Sequence, residues 1–227
     1  LHGVPGEPIG RGRDCDVFEA GPGRVLRRNR DGRSTEPEAL TMRHCAMHGY
    51  PVPEVFDADG PDIVMQRLDG PTMLGDMSAR PWTMRAKAAQ LADLIDRLAR
   101  VPLPDHRLPA AVDDGDTLVH LDLHPENVIL TSDGPIVIDW SNTSIGVAGL
   151  DAANTWLTVS AGQPDGSAVL RTVVALGRRF FVRGFVSSID RGAAVAMLPT
   201  ALERRLLDPN QSDGERATMQ ALVDRVT

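Results

Sequence analysis

The sequence predicts an α+β fold, with strands concentrated before residue 70 and helices after it. Three observations carry this. Residues 9–70 break into short strand-like segments separated by turns rich in Gly, Asn and Asp. Residues 81–101 place Met84, Ala88, Leu91, Ile95 and Leu98 at helical spacing. Farther on, Val128-Ile129-Leu130 and Ile136-Val137-Ile138 flank the turn formers Thr131-Ser132-Asp133-Gly134-Pro135. Each run is too short for a helix and rich in β-branched residues, so the pair reads as a hairpin.

The elements follow in order. Gly10 and Gly12 flank Arg11 ahead of a more apolar stretch. Such glycines let a backbone approach a phosphate and offer it N–H groups, although an ordinary turn explains them equally. Ala20-Gly21-Pro22-Gly23 is a turn, and Arg24-Val25-Leu26-Arg27-Arg28 a short strand. Ser34 or Thr35 caps a helix with Pro37 in its first turn, and Gly49 ends it. Leu40, Met42, Cys45, Ala46 and Met47 supply its expected apolar face. Asp62 to Gln66 reads as a strand, followed by the turn Arg67-Leu68-Asp69-Gly70. Pro102 and Pro104 stop the long helix, and residues 109–116 form a polar loop. Residues 141–146 are a further polar loop, and Asp151 is expected to cap the helix that follows. After a loop at Gln163-Pro164-Asp165-Gly166, residues 167–186 read as a helix with Leu170, Val173, Val174, Leu176, Phe180 and Phe181 in its apolar set. Residues 192–207 and 213–226 suggest two closing helices, with Arg178-Arg179 and Arg204-Arg205 on solvated faces.

The totals bound the class. The 227 residues suffice for one large domain or two small lobes sharing a cleft. A composition 42% hydrophobic and 24% charged is globular, and a net charge of −7 argues against a nucleic-acid partner. An acidic surface suits cationic substrates, though mild acidity is common. Cys15 and Cys45 are the only cysteines, which fits two free thiols in a reduced, cytoplasmic protein. No apolar run is long enough to cross a bilayer, so no membrane partner is expected, and residues 1–6 lack the apolar core of a signal peptide.

The chemistry concentrates around the hairpin. His120-Leu121-Asp122-Leu123-His124-Pro125-Glu126-Asn127 leads into it, and Asp139-Trp140 leaves it. A hairpin brings Asp122, Asn127 and Asp139 to one end. Phosphoryl transfer from a nucleotide needs such a set: one carboxylate to position the attacking hydroxyl, and an Asn and a second Asp to hold magnesium. Taken singly, each residue is as well read as a turn or cap residue.

This stretch resembles the H-x-D-x-H-x-x-N signature and the following I-D-W of the aminoglycoside phosphotransferase family. It also resembles the H-R-D-L-x-x-x-N motif of protein kinases, but D-F-G and A-P-E are absent. The resemblance, over about residues 9–160, implies a bilobal protein-kinase-like fold. A small N-terminal antiparallel β-sheet lobe (1–69, hinge near 65–70) would bind nucleotide. A larger, mainly helical C-terminal lobe (70–227) would hold the catalytic and acceptor sites. It further implies Asp122 as base and Asn127 and Asp139 as ligands of Mg2+. Gly10 and Gly12 would cover the phosphates of ATP, with a guanine nucleotide as the open alternative. The adenine would lie against Met65 and the main chain of Gln66 and Leu68. At the phosphate-binding lysine position stands Arg27, steered by Glu38, with Glu36 as the fallback partner; the single lysine of the chain is Lys87. His120 is expected to brace the loop, and His124 either to do the same or to approach the γ-phosphate. The implied partners are a nucleotide and a small hydroxyl-bearing acceptor. Aminoglycosides or related cationic antibiotics lead, which would make the activity one of antibiotic resistance, and amino alcohols or sugars stay open. Arg27 in place of lysine motivates an alternative, a weak or inactive nucleotide-binding pseudokinase that senses or scaffolds.

Overall fold

Glycine turns divide the beginning of the chain into strands, as its spacing predicts. In the computed structural model, which describes residues 6–12, 14–162, 168–209 and 211–227, these strands are β1 (Gly10–Arg11), β2 (Cys15–Glu19), β3 (Arg24–Asn29), β4 (Val55–Asp59) and β5 (Asp62–Gln66). They form one antiparallel sheet in the order β1-β2-β3-β5-β4. The register sets Arg27 opposite Val17 on β2 and Ile63 on β5. β4, at one edge, was not anticipated as a separate strand; its register with β5 shifts between Val55 and Asp57.

α1 (Glu36–Met47) packs on this sheet, but not on the face its apolar residues suggest. The buried residues are Glu38, Ala39, Thr41, Met42 and Cys45, whereas Leu40 and Met47 are 46% and 76% exposed and Ala46 is exposed. The rotation turns Glu38 inward, toward Arg27. Capping also differs from expectation. Thr35 stands at the cap position but its hydroxyl donates to the carbonyls of Gly60 (3.2 Å) and Asp62 (2.7 Å), fastening the helix to the β4–β5 turn. The Ser34 hydroxyl accepts the Glu36 N–H instead (3.2 Å).

Beyond residue 70 the chain is mostly helical: α2 (Met73–Ala79), α3 (Met84–Leu98), α4 (Leu150–Ala161), α5 (Ala168–Val186), α6 (Arg191–Leu206) and α7 (Asp213–Val226). The α3 stripe is core, with Ala88, Leu91, Leu94, Ile95 and Leu98 buried. α5 packs against α3, bringing Gly177 and Gly184 beside Met84 and Ala88. Phe181 is buried there, but Phe180, expected beside it, is 58% exposed. The loop expected at Gln163-Pro164-Asp165-Gly166 lies outside the described residues, as do the side chains of Leu170, Val173, Val174 and Leu176. α6 packs along α4. The chain enters α4 through Gly149, with φ +88°, and a Cβ there would lie 2.5 Å from the carbonyl carbon of Ala193 on α6. α7 opens with a reciprocal capping box between Ser212 and Glu215.

Two small sheets complete the fold. β6 (Thr117–Val119) pairs with β9 (Ser144–Gly146), so part of the expected 141–146 loop is a strand. β7 (Val128–Thr131) and β8 (Gly134–Val137) form the expected hairpin, with a two-residue turn, Ser132-Asp133, where the sequence suggests five turn residues. Gly70 links the five-stranded sheet to this region. Its φ is +152°, and a Cβ on it would sit 2.1 Å from the carbonyl oxygen of Leu130. Gly70→Ala is therefore expected to destabilise the protein by roughly 2–4 kcal/mol, which for a chain of this size lowers Tm by about 5–12 °C in a thermal melt.

Candidate active site

The turn at residues 120–123 is built from buried backbone that makes few bonds to its own strand. Leu121 holds φ +64°, a region that bulky residues seldom occupy. α4 supplies what the turn lacks. Both Asp151 oxygens are engaged: Oδ2 accepts the His120 N–H and Oδ1 the Leu121 N–H, each at 2.7 Å. One helical turn on, the Asn154 amide donates to the Leu121 carbonyl (2.5 Å) and the Thr155 hydroxyl to that of Leu123 (2.6 Å). Positions 151, 154 and 155 share one helix face by their spacing, and all three side chains are buried. Asp151 is thus not the cap expected of it; Gly149 holds that position. Burial pushes the Asp151 carboxyl up, and the two N–H groups work against that rise.

His120, fully buried, ties the turn to the strand leaving the hairpin. Its Nε2 lies 3.1 Å from the carbonyl oxygen of Ile138, which can only accept, so Nε2 carries the proton. Nδ1 then accepts the Asp122 N–H at 3.3 Å. The ring stands edge-on to Trp140, centroids 4.9 Å apart. His120 thus braces the loop at both ring nitrogens.

Asp122 projects from this turn with both oxygens engaged. Asn127 Nδ2 donates to the Asp122 carbonyl (2.9 Å) and to Oδ2 (3.2 Å). His124 Nε2 lies 3.5 Å from the same Oδ2. His124 Nδ1 accepts the Glu126 N–H (3.3 Å) and caps the short turn Pro125–Asn127, so Nε2 is its donor end. Oδ1 meets Arg205 Nη1 at 3.2 Å. Burial raises the Asp122 carboxyl, but His124 and Arg205 outweigh it and hold it below the usual carboxylate range. Arg205, expected on a solvated face, is thus a member of the site.

Asp139 follows β8 with φ +63°, its side chain 46% exposed and Oδ1 accepting from the Ser141 hydroxyl (2.9 Å). Arg27 Nη1 lies 3.9 Å away. Arg27 is also paired with Glu38, and the other Glu38 oxygen accepts the Trp140 N–H at 3.1 Å. Glu38 rather than the exposed Glu36 is therefore the partner of Arg27. Burial works against the Arg27 charge, but Glu38, with Asp139, more than restores it.

Gly10, on β1, and Gly12, just after it, lead into β2, whose Val17 stands between Gly10 and Arg27 in the sheet. Arg30 donates to the Gly12 and Cys15 carbonyls, and a Cβ on Gly12 would come within 3.0 Å of Cys15 Sγ. Burial pushes the Cys15 thiol up, with Arg27 opposing. Met65 is half-buried on β5; Gln66 gives its N–H to the Glu54 carbonyl (2.8 Å), and Leu68 lies beyond the strand. The structure thus gathers Asp122, Asn127, Asp139, His120, His124, Arg27 and Glu38, with Met65, Gln66 and Leu68 at the end of β5. Sequence reasoning missed Asp151, Asn154 and Thr155, and Arg205. The signal for the first three was a polar set at helical spacing in an otherwise apolar helix.

The donor set suits a magnesium ion. Asn127 spends its nitrogen on Asp122, which leaves Oδ1 as a ligand, and Asp139 offers exposed carboxylate oxygen. One carboxylate and one amide oxygen are few for a metal held by protein alone, and the described residues contain no cluster of three or more His, Cys, Asp or Glu ligands. Few protein ligands match magnesium, which keeps waters and takes substrate phosphates.

A model described as the phosphotransferase enzyme family matches residues 71–186. No curated protein matches the chain by sequence. Among solved structures, a choline/ethanolamine kinase family protein from Mesorhizobium loti is 19% identical with a TM-score of 0.53, over 99% of this chain and 87% of that one. An ethanolamine kinase from Plasmodium vivax is 12% identical with a TM-score of 0.59, over 96% and 81%. A thermostable mutant of aminoglycoside phosphotransferase APH(4)-Ia, in ternary complex with AMP-PNP and hygromycin B, is 17% identical with a TM-score of 0.59, over 97% and 92%. At these identities the likeness shows the fold, which is the kinase-like one expected.

Two outcomes test the site as built. Asp151→Asn can accept through one oxygen only and sets an amide N–H2 against a buried N–H; unfolding in urea should show a loss of roughly 2–4 kcal/mol. Asp122 has a depressed pKa, so its ion contacts stabilise the fold above the unfolded carboxylate pKa and are lost as pH falls through the folded value. The stability of wild type relative to Asp122→Asn should therefore grow between acid and neutral pH in a series of urea titrations.

Proposed function

The chain belongs to the phosphotransferase enzyme family, and from that premise we propose that it transfers the γ-phosphate of a nucleoside triphosphate, ATP in the first instance, to a hydroxyl of a small molecule. The observation that carries the proposal is the joint position of Asp122, Asn127 and Asp139: the Asn127 side chain donates to Asp122, and the Asn127 carbonyl accepts the N–H of Ile138, directly before Asp139.

In this reading residues 1–69 hold the nucleotide, residues 65–70 are the hinge, and residues 70–227 carry catalysis and the acceptor site. The adenine edge would meet the carbonyl of Gln66 and the N–H of Leu68, with Met65 behind it. The Gly10 and Gly12 turn would lie over the phosphates. Arg27, kept charged by Glu38, offers its second amino group toward them. Asn127 and Asp139 would hold magnesium, which supplies charge neutralisation at the bridged phosphates.

Asp122 accepts the acceptor hydroxyl's hydrogen bond and takes its proton as the oxygen bonds to phosphorus. An ionised carboxylate is needed for this, and His124 and Arg205 keep it ionised. His120 is committed at both nitrogens, so it positions the loop and does not move protons. His124 sits with its donor end toward Asp122 and supports the carboxylate.

The family membership and the solved relatives favour small hydroxyl compounds as acceptors; one relative was solved with hygromycin B, and others are described as kinases of choline or ethanolamine. Aminoglycoside-like antibiotics, with resistance as the consequence, are one such class, and hydroxyl compounds that carry an anion are another. No described helix is long and apolar enough to span a membrane, which is compatible with the cytoplasmic setting proposed for a nucleotide-dependent enzyme.

Magnesium-dependent nucleotide turnover across an acceptor panel tests the reading. Asp122→Ala and Asp139→Ala should each reduce transfer by at least about a hundredfold. Full activity in either variant would remove that residue from the site. Nucleotide binding without transfer above the Asp122→Ala level would favour a pseudokinase.

A further inference from the structure

Arg205 reaches Asp122 because α6 puts it there. The buried residues Ala194, Leu198, Ala201 and Leu202 mark the inner face of that helix, and Arg205 continues the stripe one turn beyond Ala201. The backbone just after it is held by α7, where Arg216 donates to the carbonyls of Leu206 (2.5 Å), Asp208 (2.7 Å) and Gln211 (3.1 Å). The helix end is therefore fixed, so a change at this contact falls to the Arg205 side chain.

An acceptor hydroxyl must approach an oxygen of Asp122, and protein donors flank both: Asn127 and His124 at Oδ2, Arg205 at Oδ1. Asn127 cannot leave Oδ2 cheaply, since the same nitrogen holds the Asp122 carbonyl. His124 is fixed through Nδ1. Arg205 is the least anchored of the three: Asp122 is its one charged partner among the described residues, and its Nε is buried with no partner among them. A second anion is what would draw it away. Arginine binds carboxylate and phosphate through paired N–H groups, as Arg28 does here with Asp62, Nε and Nη2 each 2.6 Å from an oxygen. An ammonium group beside the hydroxyl would instead be repelled by Arg205.

Building on the phosphotransferase reading, we propose that Arg205 sets acceptor specificity: the protein phosphorylates small hydroxyl compounds that carry a carboxylate or phosphate near the reacting hydroxyl. That anion binds Arg205 and draws it off Asp122, which opens the approach to Oδ1 for the hydroxyl. The acceptor oxygen then bonds to the γ-phosphorus, the bond from that phosphorus to the bridging oxygen breaks, the nucleoside diphosphate leaves, and the proton passes to Asp122 and on to solvent. The acceptor anion thus acts twice, as recognition element and as the release of the catalytic carboxylate.

Matched three-carbon acceptors test this on the full chain with magnesium and ATP: glycerate, glycerol 3-phosphate, glycerol, and 3-amino-1,2-propanediol. The readout is kcat/KM from nucleoside diphosphate release, corrected for turnover without acceptor. Wild type should prefer at least one anionic acceptor over the amine by about tenfold or more, and the better of the two identifies carboxylate or phosphate as the recognised group. Arg205→Lys should keep the preference, Arg205→Gln should bring the ratio to within about threefold, and Arg205→Glu should reverse it. The lysine variant and thermal melts separate specificity from misfolding. Preference for the amine, an unchanged ratio in Arg205→Gln, or acceptor-free nucleotide turnover with no transfer to either anion would overturn the proposal while leaving the phosphotransferase reading in place. Absence of any magnesium-dependent nucleotide turnover would overturn that reading, and this one with it.

Discussion

The buried carboxylate of Asp151 holds the turn on which the rest of the site depends. The segment from His120 to Leu123 leaves β6 and turns sharply, with Leu121 in a left-handed conformation. Its N–H and C=O groups are enclosed and have no sheet partner at that point. Unpaired, each would cost about 1–3 kcal/mol. Asp151 answers two of them with one side chain, and Asn154 and Thr155 answer two more. Charge-assisted bonds are the stronger kind, but a carboxylate buried this deeply also carries a large desolvation penalty. Burial raises the pKa of this carboxyl, and the two N–H groups hold that rise back. The carboxylate and the turn therefore stabilise each other, and Asp122 inherits its direction from that pairing.

Glu38 does the corresponding work between the sheet and the hairpin. One of its oxygens pairs with Arg27 on β3, and the other accepts the N–H of Trp140, directly after Asp139. This explains why α1 buries a glutamate and a threonine while exposing Leu40 and Met47. The helix is rotated to serve the ion pair rather than its own apolar residues. Arginine in place of lysine fits the same frame. A planar fork can face Glu38 with one amino group and Asp139 with the other, whereas an ammonium is a single point charge. The substitution that looked like a departure from the family pattern is accommodated by the carboxylates around it.

What the sequence made legible was local. The hairpin, the 120–127 motif and the α3 stripe each carry their signal within a short window, and the structure keeps the hairpin and the stripe. What stayed hidden depended on partners far along the chain. β6 and β9 are three residues each and become strands only by pairing across the intervening hairpin. Asp151 precedes a helix-like run, so a cap was the natural local reading; its true partners lie some thirty residues earlier. Arg204-Arg205 looks like a solvated pair, yet one of the two continues a buried stripe and the other does not. In each case the deciding term is tertiary burial, which overrides local preference; only around Asp151 do neighbouring residues, Asn154 and Thr155 at helical spacing, mark it.

The arginine beside Asp122 raises a chemical question, because a cation makes a carboxylate a weaker base. For a reaction that must strip a proton early, that would be a poor arrangement. In the proposed transfer it is tolerable. Phosphoryl transfer runs through a loose transition state in which the new bond to phosphorus is barely formed when the old one is largely broken. The hydroxyl proton then becomes acidic late, and what the site needs before that moment is a fixed, ionised acceptor that aims the hydroxyl along the line of displacement. His124 and Arg205 keep Asp122 ionised, Asn127 fixes one of its oxygens, and Arg205 holds the other until something more anionic than Asp122 alone competes for it. A weak base with a guarded oxygen also disfavours water as the acceptor, since water brings no anion with which to displace the guanidinium.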